Sequence, residues 1–107
     1  MDEDGYPEDD EIEKVMNWHY EDGFNLLMDY VEQLWHWPDW GFIRIDSENF
    51  ELHTGGWSGN EEIIYALQHN RNFFWIFCWV ESKRGGHYKF EIKQKSIIKE
   101  KQNASNE

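Results

Sequence analysis

Eight consecutive apolar residues, Phe73 to Val80, constrain this chain more than any other feature. As a strand, the run would place Phe73, Trp75, Phe77 and Trp79 on one face and Phe74, Ile76, Cys78 and Val80 on the other. Both faces then need cover, so the spacing predicts a strand over 72–81 in the middle of a covered sheet. Covering it takes a substantial core, yet a chain of 107 residues buries only about two-thirds of its unfolded surface. Large side chains must supply that core. Aromatic residues make up 18% of the chain, with 7 Trp and 7 Phe, and each buried ring removes about 150–250 Å² from water. That is enough for one independently folding domain.

The remaining elements follow from periodicity. Ile12, Val15, Met16 and His19 repeat at helical spacing over 8–22, with carboxylates at the helix start that favour its N-terminus. After Gly23, the residues Phe24, Leu27, Met28, Val31, Leu34 and Trp35 form the clearest amphipathic stripe, ending near Pro38. Alternation over 40–46 and over 50–54, separated by the turn Asp46-Ser47-Glu48-Asn49, predicts a hairpin. Ser58 and Glu61 have capping-box spacing ahead of Ile63, Ile64 and Leu67, which predicts a helix over 59–70 with Ser58 as N-cap. Lys83-Arg84-Gly85-Gly86 turns the chain into a last strand in which Tyr88, Phe90 and Ile92 alternate with polar residues. The order is α-α-β-β-α-β-β: an α+β domain over 8–93, with helices packed on a mixed four-stranded sheet. It is flanked by an acidic disordered tail, 1–7, and a polar C-terminal tail, 94–107. Periodicity does not assign Trp37, Trp40 and Trp57 to core or surface.

Charge limits the partners. The formal net charge is -12 and the pI about 4.7, with 16 acidic and 2 basic residues in 1–51 against 6 and 8 in 52–107. Such an excess opposes direct association with nucleic acid or with anionic membranes. No segment reaches the ~20 apolar residues of a membrane span, and the N-terminus lacks an export signal, so the expectation is a cytoplasmic monomer or weak homodimer. The single Cys78 is expected to be a buried, inert thiol.

Candidate sites fall into two groups. If the second and third strands share a sheet, the helix between them makes a β-α-β crossover, and their C-terminal ends meet at one edge. Gly55, Gly56, Trp57, Ser58 and Asn60 would lie there with Arg84 and His87, a possible anion or nucleotide pocket in which Trp57 stacks on the ligand. Sharp strand-to-helix and hairpin turns also need glycine, so packing explains the same pattern. The segment is neither a P-loop nor a dinucleotide fingerprint. The five His residues and the one Cys show no metal-ligand spacing, so no metal and no cofactor is expected. No Ser sits in a nucleophile context, and no catalytic residue is assigned. The second group is Glu8, Asp9, Asp10, Glu13, Glu21 and Asp22, which with Glu11, Asp29 and Glu32 would line two consecutive helices. Carboxylates so arrayed imitate a row of phosphates and would dock on a basic protein.

The stretch Thr54-Gly55-Gly56-Trp57-Ser58-Gly59-Asn60-Glu61-Glu62-Ile63-Ile64, followed by Phe74-Trp75 and Ser82-Lys83-Arg84-Gly85-Gly86-His87-Tyr88, resembles a group of small uncharacterised phage and prophage proteins. About two-fifths of the chain, 51–92, carries this resemblance. It implies no catalytic or binding residue. Its implication is context: a phage-encoded acidic protein that binds and inhibits a host factor, such as a nucleic-acid-binding or defence protein, by analogy with small acidic phage proteins.

Overall fold

A computed structural model describes residues 1–93; the expected tail 94–107 lies outside the described residues. The chain is α+β. Helix α1 runs Asp9–Asn17, α2 Phe24–Leu34, α3 Pro38–Gly41, α4 Ser58–Gln68 and α5 Phe74–Cys78, with a 3₁₀ turn at Tyr20–Asp22. Strands β1 Phe42–Arg44, β2 Asn49–His53, β3 Trp79–Lys83 and β4 His87–Glu91 form one sheet in the order β1-β2-β4-β3.

Every pairing in this sheet is antiparallel, which corrects the expected mixed sheet. The glycine turn returns β4 alongside β3 and seats it between β3 and β2. Because β2 and β3 are both antiparallel to β4, they still run in the same direction. Their C-terminal ends therefore share an edge, as the β-α-β reading required, and β1 begins at that edge.

The sheet's inner face is set by strand alternation. Phe42, Phe50, Leu52, Phe90 and Ile92 are buried, and they pack with Leu27, Met28 and Val31 of α2 and Ile63, Ile64 and Leu67 of α4 in one core. Phe74 joins it edge-on to Phe24 at 5.2 Å and beside Phe90 at 5.4 Å. The stripe on α2 thus does what its period implies: Phe24, Leu27, Met28, Val31 and Leu34 are its buried residues.

The apolar run departs from expectation. Residues 74–78 are a short helix, and only Trp79–Lys83 is strand, an edge strand with largely exposed residues. Asn70 decides the matter locally. It is buried, and its Oδ1 accepts the N–H groups of Asn72 at 2.9 Å and Phe74 at 3.3 Å, while its Nδ2 donates to Val15 and Trp18 carbonyls. The chain is thereby curled into a helical turn. Phe74 and Cys78, four residues apart, face the core, Trp75 packs beside them against Phe90 at 5.4 Å, and the exposed residues of the run lie on other faces.

Two further expectations change. Ser58 is not the N-cap: α4 begins one residue earlier than predicted, with Trp57 as cap, because the Trp57 carbonyl already accepts the Glu61 N–H at 3.1 Å. A helix-entry hydrogen bond instead occurs at α1, where the Glu8 N–H donates to Glu11 Oε1 at 2.9 Å. Residues 1–7, expected to be disordered, fold back on the domain. Asp2 Oδ1 accepts the Asp4 and Tyr6 N–H groups, Tyr6 stacks on Trp57 at 4.5 Å, and Pro7 is buried.

Candidate functional sites: a glycine-rich edge, a polar sheet face and an apolar strip

The three loops do converge at the shared sheet edge, but packing rather than an open cradle accounts for most of their residues. Gly86 is required because a Cβ there would come within 2.1 Å of Thr54 Oγ1, and its carbonyl accepts the Thr54 N–H at 2.9 Å. Gly55 lies under the Trp40 ring, and Gly59 lies under the Trp57 ring. Gly56 faces open space at positive φ. Trp57 is sandwiched between His36 at 4.2 Å and Tyr6 at 4.5 Å, so both its faces are occupied and it cannot stack on a ligand without displacing one of them. The Ser58 hydroxyl is 3.5 Å from the Tyr6 hydroxyl.

Asn60 is a structural clamp. It is 1% exposed; its Oδ1 accepts the His36 N–H at 2.9 Å, and its Nδ2 donates to the carbonyls of His36 at 3.1 Å and Thr54 at 3.3 Å. These bonds tie the α2–α3 link to the β2–α4 loop and leave none of its hydrogen-bonding atoms idle. Arg84 is exposed at the hairpin tip.

His87 has an unexpected partner. It pairs across the sheet with His53, and the two Nδ1 atoms are 2.6 Å apart. Glu51 Oε1 is 3.6 Å from His53 Nε2, and Lys89 bridges Glu51 at 4.0 Å and Glu81 at 3.3 Å. These residues, with Ser82, Lys83 and Tyr88, line a cleft of about 180 Å³. The period-2 alternation placed His53 and His87 on polar faces, but the β2–β4 register brought these residues, 34 apart in sequence, together.

The carboxylates do not form one line. Glu8, Asp9, Asp10 and Glu13 are exposed around the start of α1, and Glu21 and Asp22 are exposed in the 3₁₀ turn. The nine residues of α1 span about 13 Å between those groups. Others are already engaged. Arg44 holds Asp29 at 2.6 Å and Glu32 at 2.8 Å, while Glu11 pairs with the terminal ammonium at 2.6 Å. Burial acts to raise the Glu11 carboxyl pKa, but the Glu8 N–H and the ammonium outweigh it and hold the pKa below the usual range.

Sequence reasoning missed an apolar strip. Phe73, Ile76 and Phe77 are 60%, 76% and 71% exposed, and Val80 follows at the bulge between Trp79 and Glu81, also exposed. No spacing singled these four out, because every residue from 73 to 80 is apolar. Cys78, by contrast, is buried, and burial pushes its thiol pKa up to about 12, which leaves it a poor nucleophile.

Among the described residues, no three metal-ligating side chains converge, and no helix is long and apolar enough to cross a membrane. Compared with family models, curated proteins and solved structures, the chain has no match.

Proposed function

We propose that this is a non-catalytic binding protein that docks on a basic partner protein through the apolar strip of α5 and β3, steered by its acidic N-terminal half. The exposed strip carries this reading. Phe73, Ile76, Phe77 and Val80 are large apolar side chains of one eight-residue segment left in water, and exposed apolar surface rimmed by polar residues marks interaction sites on soluble domains. Phe73 also holds a left-handed backbone, φ 68°, which costs about 1–2 kcal/mol for a residue with a Cβ. Burial of its ring does not offset that cost.

Acidity gives the partner its sign. The strip starts beside the end of α1, because the Arg71 N–H donates to the Met16 carbonyl at 2.8 Å and Asn72 Nδ2 to the Trp18 carbonyl at 3.1 Å. Beyond it lie the exposed acids of α1 and of the 3₁₀ turn. An apolar centre with a charged periphery is the usual anatomy of a protein interface, and the charges chiefly speed encounter and reject acidic competitors. Given the resemblance to phage proteins, the partner class is a basic host protein, including nucleic-acid-binding and defence proteins, which docking would inhibit. A nucleotide pocket at the glycine-rich edge has less support, since Gly55 and Gly59 are covered by indole rings and Asn60 is fully engaged.

The test is capture from bacterial lysate by the immobilised protein, with bound proteins identified and compared between variants. Ile76→Asp with Phe77→Asp should lose the partner. Reversing Asp9, Asp10, Glu13 and Glu21 to Lys should weaken capture and flatten its salt dependence. Retention of the same partner by both variants would refute the proposal.

A further inference from the structure

We infer that His53 and His87 form a proton-operated latch, which holds the β3–β4 hairpin to the end of β2 and releases it when both rings are protonated. The two residues are directly opposed in the β2–β4 ladder. Their Nδ1 atoms are 2.6 Å apart and their ring centroids 4.9 Å apart, so the rings meet head-to-head with space for one hydrogen between them. A neutral imidazole carries one N–H and one lone pair, whereas an imidazolium carries two N–H groups and no lone pair. A single Nδ1–H donating to the other Nδ1 therefore serves the neutral pair, and it serves the pair with one added proton as a charge-assisted bond. A second added proton removes the last lone pair from the contact. Two like-charged donors then face each other, and the rings part.

The neighbouring strands bias these states. On β2, Glu51 Oε1 is 3.6 Å from His53 Nε2, so its charge favours a proton on that nitrogen and leaves His53 Nδ1 as the acceptor in the neutral pair. On β4, Lys89 lies 4.0 Å from Glu51 and 3.3 Å from Glu81 of β3, which offsets part of that attraction. On β3, Lys83 is directly opposed to His87 and resists positive charge there. The α3 neighbour is the uncharged Trp40 ring, 6.1 Å from His53, and Ser82 and Tyr88 complete the cleft. His87 is exposed, as is Arg84 at the hairpin tip, so the pair exchanges protons with bulk solvent. Imidazole is the side chain that changes charge between about pH 5 and 8. The latch is thus closed at neutral and alkaline pH and opens in acid. It secures the end of the ladder, where the next bond runs from the Thr54 N–H to the Gly86 carbonyl at 2.9 Å. Opening frees that bond and the tip, while the far end keeps its bond from the Ile92 N–H to the Glu48 carbonyl at 2.7 Å. A change of charge at one pair of rings is so converted into local release of a hairpin.

Imidazole ¹⁵N spectra and amide hydrogen exchange of the full chain test the latch. At about pH 8 a scalar coupling is expected between the Nδ1 nuclei of His53 and His87, transmitted through the shared hydrogen, and it should vanish by about pH 5. Over the same range, protection of the Thr54 amide relative to its intrinsic exchange rate should fall by about tenfold or more, while that of the Ile92 amide changes by less than about twofold. In His53→Gln and His87→Gln the amide side chain can accept from or donate to the remaining imidazole in either charge state. Thr54 protection in these variants should then stay constant within about twofold. Absence of the coupling at about pH 8 in the native chain would overturn the inference. So would a Thr54 protection that does not fall on acidification of the native chain, or one that falls as steeply in both variants.

Discussion

Phe73 and Trp37 are the two non-glycine residues with positive φ among the described residues, at 68° and 57°, and both rings are exposed. Strain in a bulky residue persists only where something else requires the side chain. At Phe73 the proposed docking would supply that requirement, since the ring is 60% exposed. Phe73→Gly should therefore separate stability from binding. Relief of the left-handed strain, about 1–2 kcal/mol, is partly cancelled by glycine's greater unfolded-state freedom, about 0.5–1 kcal/mol. Denaturant unfolding is expected to show stability unchanged or raised by up to about 1 kcal/mol, while partner capture falls. A loss of about 2 kcal/mol or more, of the size seen when a packed side chain is removed, would make the ring a structural residue.

At the level of elements, loops distant in sequence are joined by buried asparagines. Asn60 links the entry to α3 with the exit from β2, and Asn70 links the end of α1 with the start of α5. Asn60→Ala would leave three backbone groups without their partner, and it should cost about 2–3 kcal/mol in denaturant unfolding. A cost below about 1 kcal/mol would show that the loops hold their geometry without the clamp. These clamps also explain which parts of the fold were legible. The stripe on α2, the turn at Asp46, the helix ahead of Leu67 and the Gly85-Gly86 hairpin could be read because one face of each element is buried and the other is not, or because a turn needs particular residues. Residues 73–80 were not legible, since a segment apolar on every side has no period, and the arbiter was the side chain of Asn70 with its partners 52 and 55 residues away. The convergence of three loops at one edge was legible from strand direction. The His53–His87 pair was not, because insertion of β4 between β2 and β3 sets its register.

Over the whole molecule, acidity and exposed apolar surface occupy neighbouring regions with different roles. On the proposed reading, the carboxylates of the first half would steer encounters with the partner, while the strip would supply contact area. Arg44, Asp29 and Glu32 show that not every acid serves this purpose, for that trio fastens β1 to α2. The two edge strands bound opposite sides of the sheet, so docking through β3 leaves β1, with exposed Ile43, away from the partner. Photo-crosslinking in bacterial lysate, with a benzophenone side chain replacing Phe77 in one sample and Ile43 in another, tests the docking claim most directly. The account predicts a discrete adduct with a basic protein from position 77 and none with that protein from position 43. Failure of position 77 to crosslink any discrete protein, or equal labelling of the same protein from both positions, would contradict it.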